Sequence, residues 1–155
     1  MNAAATTPPV PTLDVIEGPE WRDHNASEDG AWSHYAYRVR LTHDGRTMET
    51  PWRQGPGTTH DPEAHDVIGA LLMDAQGIEA CTGFPDWAEG YGYDTDSIRA
   101  RDLYDLCREQ TDALSTLLGR RVMVALMDDE DATYGAASRF TDAWNTAAFL
   151  AGVNA

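Results

Sequence analysis

Lysine is missing altogether: all 11 basic residues of the 155-residue chain are arginines, set against 26 acids, for a net charge of −15. Such a surface repels phosphate backbones and anionic lipid headgroups. Direct nucleic-acid binding needs a basic patch, and only Arg38/Arg40, Arg99/Arg101 and Arg120-Arg121 fall close together. Apolar runs are short as well. None approaches the ~18–20 residues that cross a membrane. Met1 to Pro11 has neither the basic start nor the apolar core of a signal peptide. The expectation is a cytoplasmic chain with no membrane partner. Cysteine is scarce: Cys81 and Cys107 make no C-x-x-C pair and no disulfide scaffold, which fits two reduced thiols. Also lacking are a P-loop, a Gly-x-Gly-x-x-Gly turn and a Gly-x-Ser-x-Gly elbow. No enzyme, catalytic residue or cofactor is expected.

What is present suffices for a core. The hydrophobic fraction is 42%, with five tryptophans, and the length suits one domain. Residues 1–30 read as a flexible acidic, proline-rich segment, with Glu17 to Gly30 loop-like, ahead of a single domain over 31–152. From Trp32, Tyr35, Tyr37, Val39 and Leu41 alternate with polar neighbours, which predicts a half-buried strand. Asp44-Gly45 suits a tight hairpin, and a second strand runs from Arg46 to Trp52. A helix follows, with Asp61 as N-cap, Pro62 at its first position, a stripe of Val67, Ile68, Leu71, Leu72 and Ala75, and Gly77 as its end. Pro85 to Glu89 reads as one helical turn. A further helix, capped by Asp96 or Ser97, reaches Leu118 with the stripe Ala100, Leu103, Cys107, Gln110, Leu114 and Leu117. Val122 to Met127 fits a third strand or another helical turn. A last amphipathic helix spans about Ala136 to Leu150. The predicted fold is α+β: an antiparallel sheet of two or three strands, built on the 32–52 hairpin, against about three helices. Tyr37, Val39, Leu41, Val67, Leu71, Leu103, Leu114 and Trp144 are its predicted core.

Phe84, Asp86 and Trp87, then Gly92-Tyr93-Asp94-Thr95-Asp96-Ser97, and a helix bearing Tyr104, Cys107, Leu118 and Gly119 make a distinctive series. It resembles a family of small acidic proteins of actinobacteria and their phages. The strand, turn, strand, glycine-rich loop and helix of residues 35–75 follow that family's order, so the resemblance spans about 35–119. It implies a phage or mobile-element setting and no catalytic role.

Asp94-Thr95-Asp96-Ser97 opens like a calcium loop, but Arg99 and Asp105 stand where an EF-hand needs glycine and glutamate. These residues read instead as a turn and a helix cap. His60-Asp61 and His65-Asp66 look like a repeated pair. Five helical residues rotate by about 500°, however, so the two histidines do not share a face, and no metal site is expected. The acidity itself serves solubility through self-repulsion, or follows from a high-GC genome or a salty cytoplasm. Its sharper reading is imitation of a phosphate backbone. On that reading the chain is a non-enzymatic phage or prophage accessory protein. It would block a basic host or phage protein, such as a defence or DNA-processing factor of the kind that anti-CRISPR and anti-restriction proteins target. The predicted partner-binding residues are Tyr91, Asp94, Asp96, Asp128, Asp129, Glu130 and Asp131. The alternative is a structural or regulatory protein that forms homo-oligomers through its C-terminal helix.

Overall fold

The computed structural model describes residues 10–26, 30–51, 53–54 and 62–127. Four strands come first: β1 (Thr12–Ala26), β2 (Gly30–His43), β3 (Arg46–Glu49) and the two-residue β4 (Arg53–Gln54). Four helices follow among the described residues: α1 (Ala64–Glu79), α2 (Phe84–Gly90), α3 (Ile98–Leu118) and α4 (Arg120–Met127). The fold is α+β, with an antiparallel sheet ordered β1-β2-β3 and β4 paired to β2.

The alternation in β2 does what period two requires. Tyr37, Val39, Leu41 and His43 are buried, while Arg38, Arg40 and Thr42 are half-buried. Asp44 and Gly45 both take positive φ, 50° and 78°, which makes the β2–β3 turn one whose twist matches its strands. At Pro51 the chain can no longer donate to a ladder. Just before it, Thr50 closes the sheet twice: its N–H donates to the Val39 carbonyl (2.9 Å), and its Oγ1 accepts from the Val39 N–H (3.2 Å). The buried face of β2 and β3 meets α1, α3 and α4 in one core of Tyr37, Val39, Leu41, Met48, Val67, Ile68, Leu71, Leu72, Leu114, Leu117, Met123 and Leu126. On the solvent side Arg38 bridges Glu17 (2.8 Å) and Glu49 (3.7 Å), and Arg40 meets Glu49 (2.9 Å), tying β1, β2 and β3 together.

Several sequence expectations need correction. Within the segment read as flexible and loop-like over residues 1–30, Thr12–Ala26 is strand β1, pairing from Thr12↔Thr42 to Ala26↔Gly30, and residues 1–9 and 27–29 lie outside the described residues. Its period-two signal is hidden by register irregularities between Val15 and Glu20, and most of its described side chains are exposed. Gly18 belongs to that irregularity: it takes φ +108°, and a Cβ there would stand 2.7 Å from the Ala36 carbonyl oxygen. Helix α1 is capped at Glu63, whose N–H donates to Asp66 Oδ2 (3.1 Å), and it runs past Gly77 to Glu79. Asp61 lies outside the described residues. Of the predicted core, Tyr37, Val39, Leu41, Val67, Leu71 and Leu114 are buried, but Leu103 is 39% exposed. Tyr104 takes the inward position instead, and Cys107 is half-buried. Val122 to Met127 is helical. Trp144 and the helix predicted over 136–150 lie outside the described residues. Among the described residues no helix is long and apolar enough to cross a membrane.

Candidate functional site

The most distinctive part of the sequence folds around one indole. Pro85 opens α2, and Asp86 Oδ2 accepts from the Thr82 N–H (3.0 Å). Trp87, 3% exposed, then stands at the centre of a second small core with Phe84, Ala88, Ala100 and Tyr104. Tyr104 meets Trp87 edge-on at 5.3 Å, Tyr91 lies against it at 5.0 Å, and Tyr93 stacks on it at 5.5 Å. Offset and edge-on pairs of this kind are attractive beyond their buried area. Gly92 takes φ +76° and lets the chain reverse, so that the Tyr93 N–H donates to the Ala88 carbonyl (2.8 Å).

Tyr91 has a second attachment. Its hydroxyl lies against Gly77 of α1, where a Cβ would collide with it. This is the structural use of the glycine that the sequence suggested as a helix end. Partial burial, then the Asp74 carboxylate, push the Tyr91 phenol above its ordinary pKa. Burial and the Asp86 carboxylate likewise push the Cys81 thiol up, away from the reactive thiolate.

The loop from Tyr93 to Ser97 is a pair of local caps. Asp94 Oδ1 accepts from the Asp96 N–H (3.0 Å), and the Asp94 carbonyl accepts from the Ser97 N–H (3.0 Å). Ser97 Oγ accepts from the Ala100 N–H (3.1 Å) as the N-cap of α3. The turn-and-cap reading of this segment therefore matches its bonding. Both aspartates remain exposed.

Beside the loop lies a cavity of about 560 Å³, lined by Tyr93, Ser97, Arg99, Ala100, Asp102, Leu103 and Leu106. Arg99, Asp102, Leu103 and Leu106 are spaced i, i+3, i+4, i+7 and so share one stripe of α3. At 21 residues α3 is about 31 Å long, whereas the four-residue β3 spans only about 13 Å. Gln110 Nε2 reaches the Glu49 carbonyl at the end of β3 (3.4 Å). N-terminal to Gln110, α2 covers α3 on the Ala100–Tyr104 side. Two of the three α3 arginines lie on the α2 side, Arg101 over the Phe84 ring (5.0 Å) and Arg108 over the Tyr104 ring (5.7 Å), while Arg99 lines the cavity.

Of the predicted partner-binding residues, Tyr91, Asp94 and Asp96 lie in the α2–α3 connection, whose Tyr93 and Ser97 line this cavity, while Tyr91 is seated on Gly77 of α1. Asp128, Asp129, Glu130 and Asp131 lie outside the described residues. Leu103, Leu106, Arg99 and Asp102 were missed as site residues. Their i, i+3, i+4, i+7 spacing was legible, but with Leu103 assigned inward it gave no sign of facing out.

One grouping with metal-ligand chemistry occurs among the described residues: Glu63, His65 and Asp66, whose ligand atoms lie within 4.8 Å of one another. His65 Nδ1 and Nε2 stand 3.3 Å from Glu63 and from Asp66, and Asp66 also caps the Glu63 N–H. The first turn of a helix attracts anions and disfavours a cation, so helix capping accounts for these carboxylates. The chain matches no family model, no curated protein and no solved structure.

Proposed function

We propose that this chain is a non-enzymatic accessory protein, of phage or prophage type, that acts by binding another protein. The α2–α3 face is its contact surface, and the target is a basic, nucleic-acid-binding protein whose groove the acidic face occupies. The observation that carries the reading is the Tyr91–Ser97 loop. Its aromatics are fixed on Trp87, and its exposed carboxylates stand next to an open, partly apolar cavity. Exposed apolar surface rimmed by polar groups marks interaction sites. A net charge of −15 adds steering toward a basic partner.

The test is capture of a host nucleic-acid-binding protein on the immobilised full chain, followed by competition. The captured protein is expected to leave the chain when duplex DNA is added, and again when salt rises from about 50 mM to about 500 mM, where screening shortens to a few ångströms. Binding indifferent to both DNA and salt overturns the reading. Asp94→Asn with Asp96→Asn is expected to slow association more than dissociation, as for rim charges.

A further inference from the structure

We propose that the cavity on α3 is the seat of an amphipathic basic helix of the partner, which lays its apolar side chains on Leu103 and Leu106 and its cations against Asp94, Asp96 and Asp102; this rests on the protein-binding reading above and names its partner's chemistry. Three observations carry it. First, Leu103 and Leu106 lie about one turn apart on the open stripe, with Tyr93 of the loop at its end, so a helix laid along it meets apolar side chains at helical spacing. Second, the space fits. About 560 Å³ exceeds one large side chain and takes two apolar ones a turn apart. Third, the charge is sorted. Arg101 and Arg108 are drawn onto rings on the far side of α3, and Arg101 also faces Asp105 (3.7 Å). Asp102 lines the cavity with Arg99, and Asp94 and Asp96 are exposed in the loop whose Tyr93 and Ser97 line it, so the acids outnumber the one guanidinium there. An acidic helix would meet repulsion there. A second copy of this chain would bring the same repulsion, since the surface it presents is also acidic.

The test uses the full chain, isotope-labelled, with two synthetic helical peptides of about 14 residues, roughly four turns, one patterned with leucine and lysine and the other with leucine and glutamate. The expected result is amide shifts confined to the 93–106 region with the first peptide and none with the second. Leu103→Asp is expected to weaken binding about tenfold or more. Val124→Asp, an equal charge change at an exposed site on α4, is expected to change it by less than about twofold. Leu103→Ser repeats the measurement without added charge, so that a misfolded Leu103→Asp variant leaves the question answerable. Shifts elsewhere on the surface, equal weakening by the α4 variant, or binding of both peptides overturns the proposal. So does a dimer in light scattering that Leu103→Asp converts to monomer, because the occupant is then a second copy. The two readings fail differently. Salt-sensitive binding untouched by Leu103→Asp overturns the cavity and leaves acidic docking standing. Salt-insensitive binding weakened by Leu103→Asp overturns the acidic docking and, with it, the basic character of the occupant.

Discussion

Gly77 lies in the last turn of α1, where glycine costs about 1 kcal/mol relative to alanine. The tyrosine hydroxyl seated on it explains the choice, and gives a non-additive signature. Gly77→Ala is expected to show none of its helix-propensity gain in the wild-type background, because Tyr91 must shift off Trp87. In a Tyr91→Ala background the same change is expected to stabilise by up to about 1 kcal/mol. Denaturant titration of the four proteins decides it. The phenol carries a pH signature as well. Its pKa is raised, so folding favours the neutral form; that contribution is complete below the ordinary tyrosine value and fades as pH climbs through the raised one. An ultraviolet alkaline titration is expected to show a late-ionising tyrosine that Tyr91→Phe removes. Thr50 is a sharper case. Thr50→Val keeps the shape but strips the acceptor from the buried Val39 N–H, and a loss of about 1–3 kcal/mol is expected, with Thr50→Ser close to wild type.

At the scale of elements, α3 has two unlike halves. Leu114 is fully buried and Leu103 is not, so Leu114→Ala is expected to cost about 2–5 kcal/mol and Leu103→Ala less than about 1 kcal/mol. Equal losses in thermal unfolding would contradict the open stripe. This is also where reading from residues stopped short. The β2–β3 hairpin was legible because Tyr37, Val39 and Leu41 alternate cleanly and Asp44-Gly45 can be little but a turn. A cap at Asp96 or Ser97 and the end of α3 at Gly119 were legible through local hydrogen-bonding chemistry, and the cap falls on Ser97. Strand β1 was not: its partner is β2 rather than a buried apolar face, and irregular register around Glu17 scrambles the period. Nor was the rotation of α3, because Leu103 and Tyr104 are adjacent and both apolar, and only the position of Trp87 decides which faces in. The loop half of the candidate site stood in the sequence as Gly92 to Ser97. The cavity half did not, since it depends on which face of α3 turns outward.

For the whole molecule, an excess of 15 negative charges repels itself more in the compact state than in the unfolded chain. Raising sodium chloride from about 20 mM to about 500 mM is therefore expected to raise the melting temperature, while cross-strand pairs such as Arg38–Glu17, partly exposed, lose little. A melting temperature that falls with salt would mean that these pairs outweigh the repulsion. The order of the sheet carries one more consequence. Each of β1, β2 and β3 lies beside its neighbour in the chain, so most of the sheet closes through short loops. Topologies so rich in local pairings reach their transition state quickly, on the millisecond scale or faster for mixed domains. The meander also precedes α1, α3 and α4, the described helices that cover it, in the order of synthesis. Until α1 and α3 are made, Tyr37, Val39 and Leu41 face water on a nascent sheet, and the acids that crowd the chain keep such half-made copies apart.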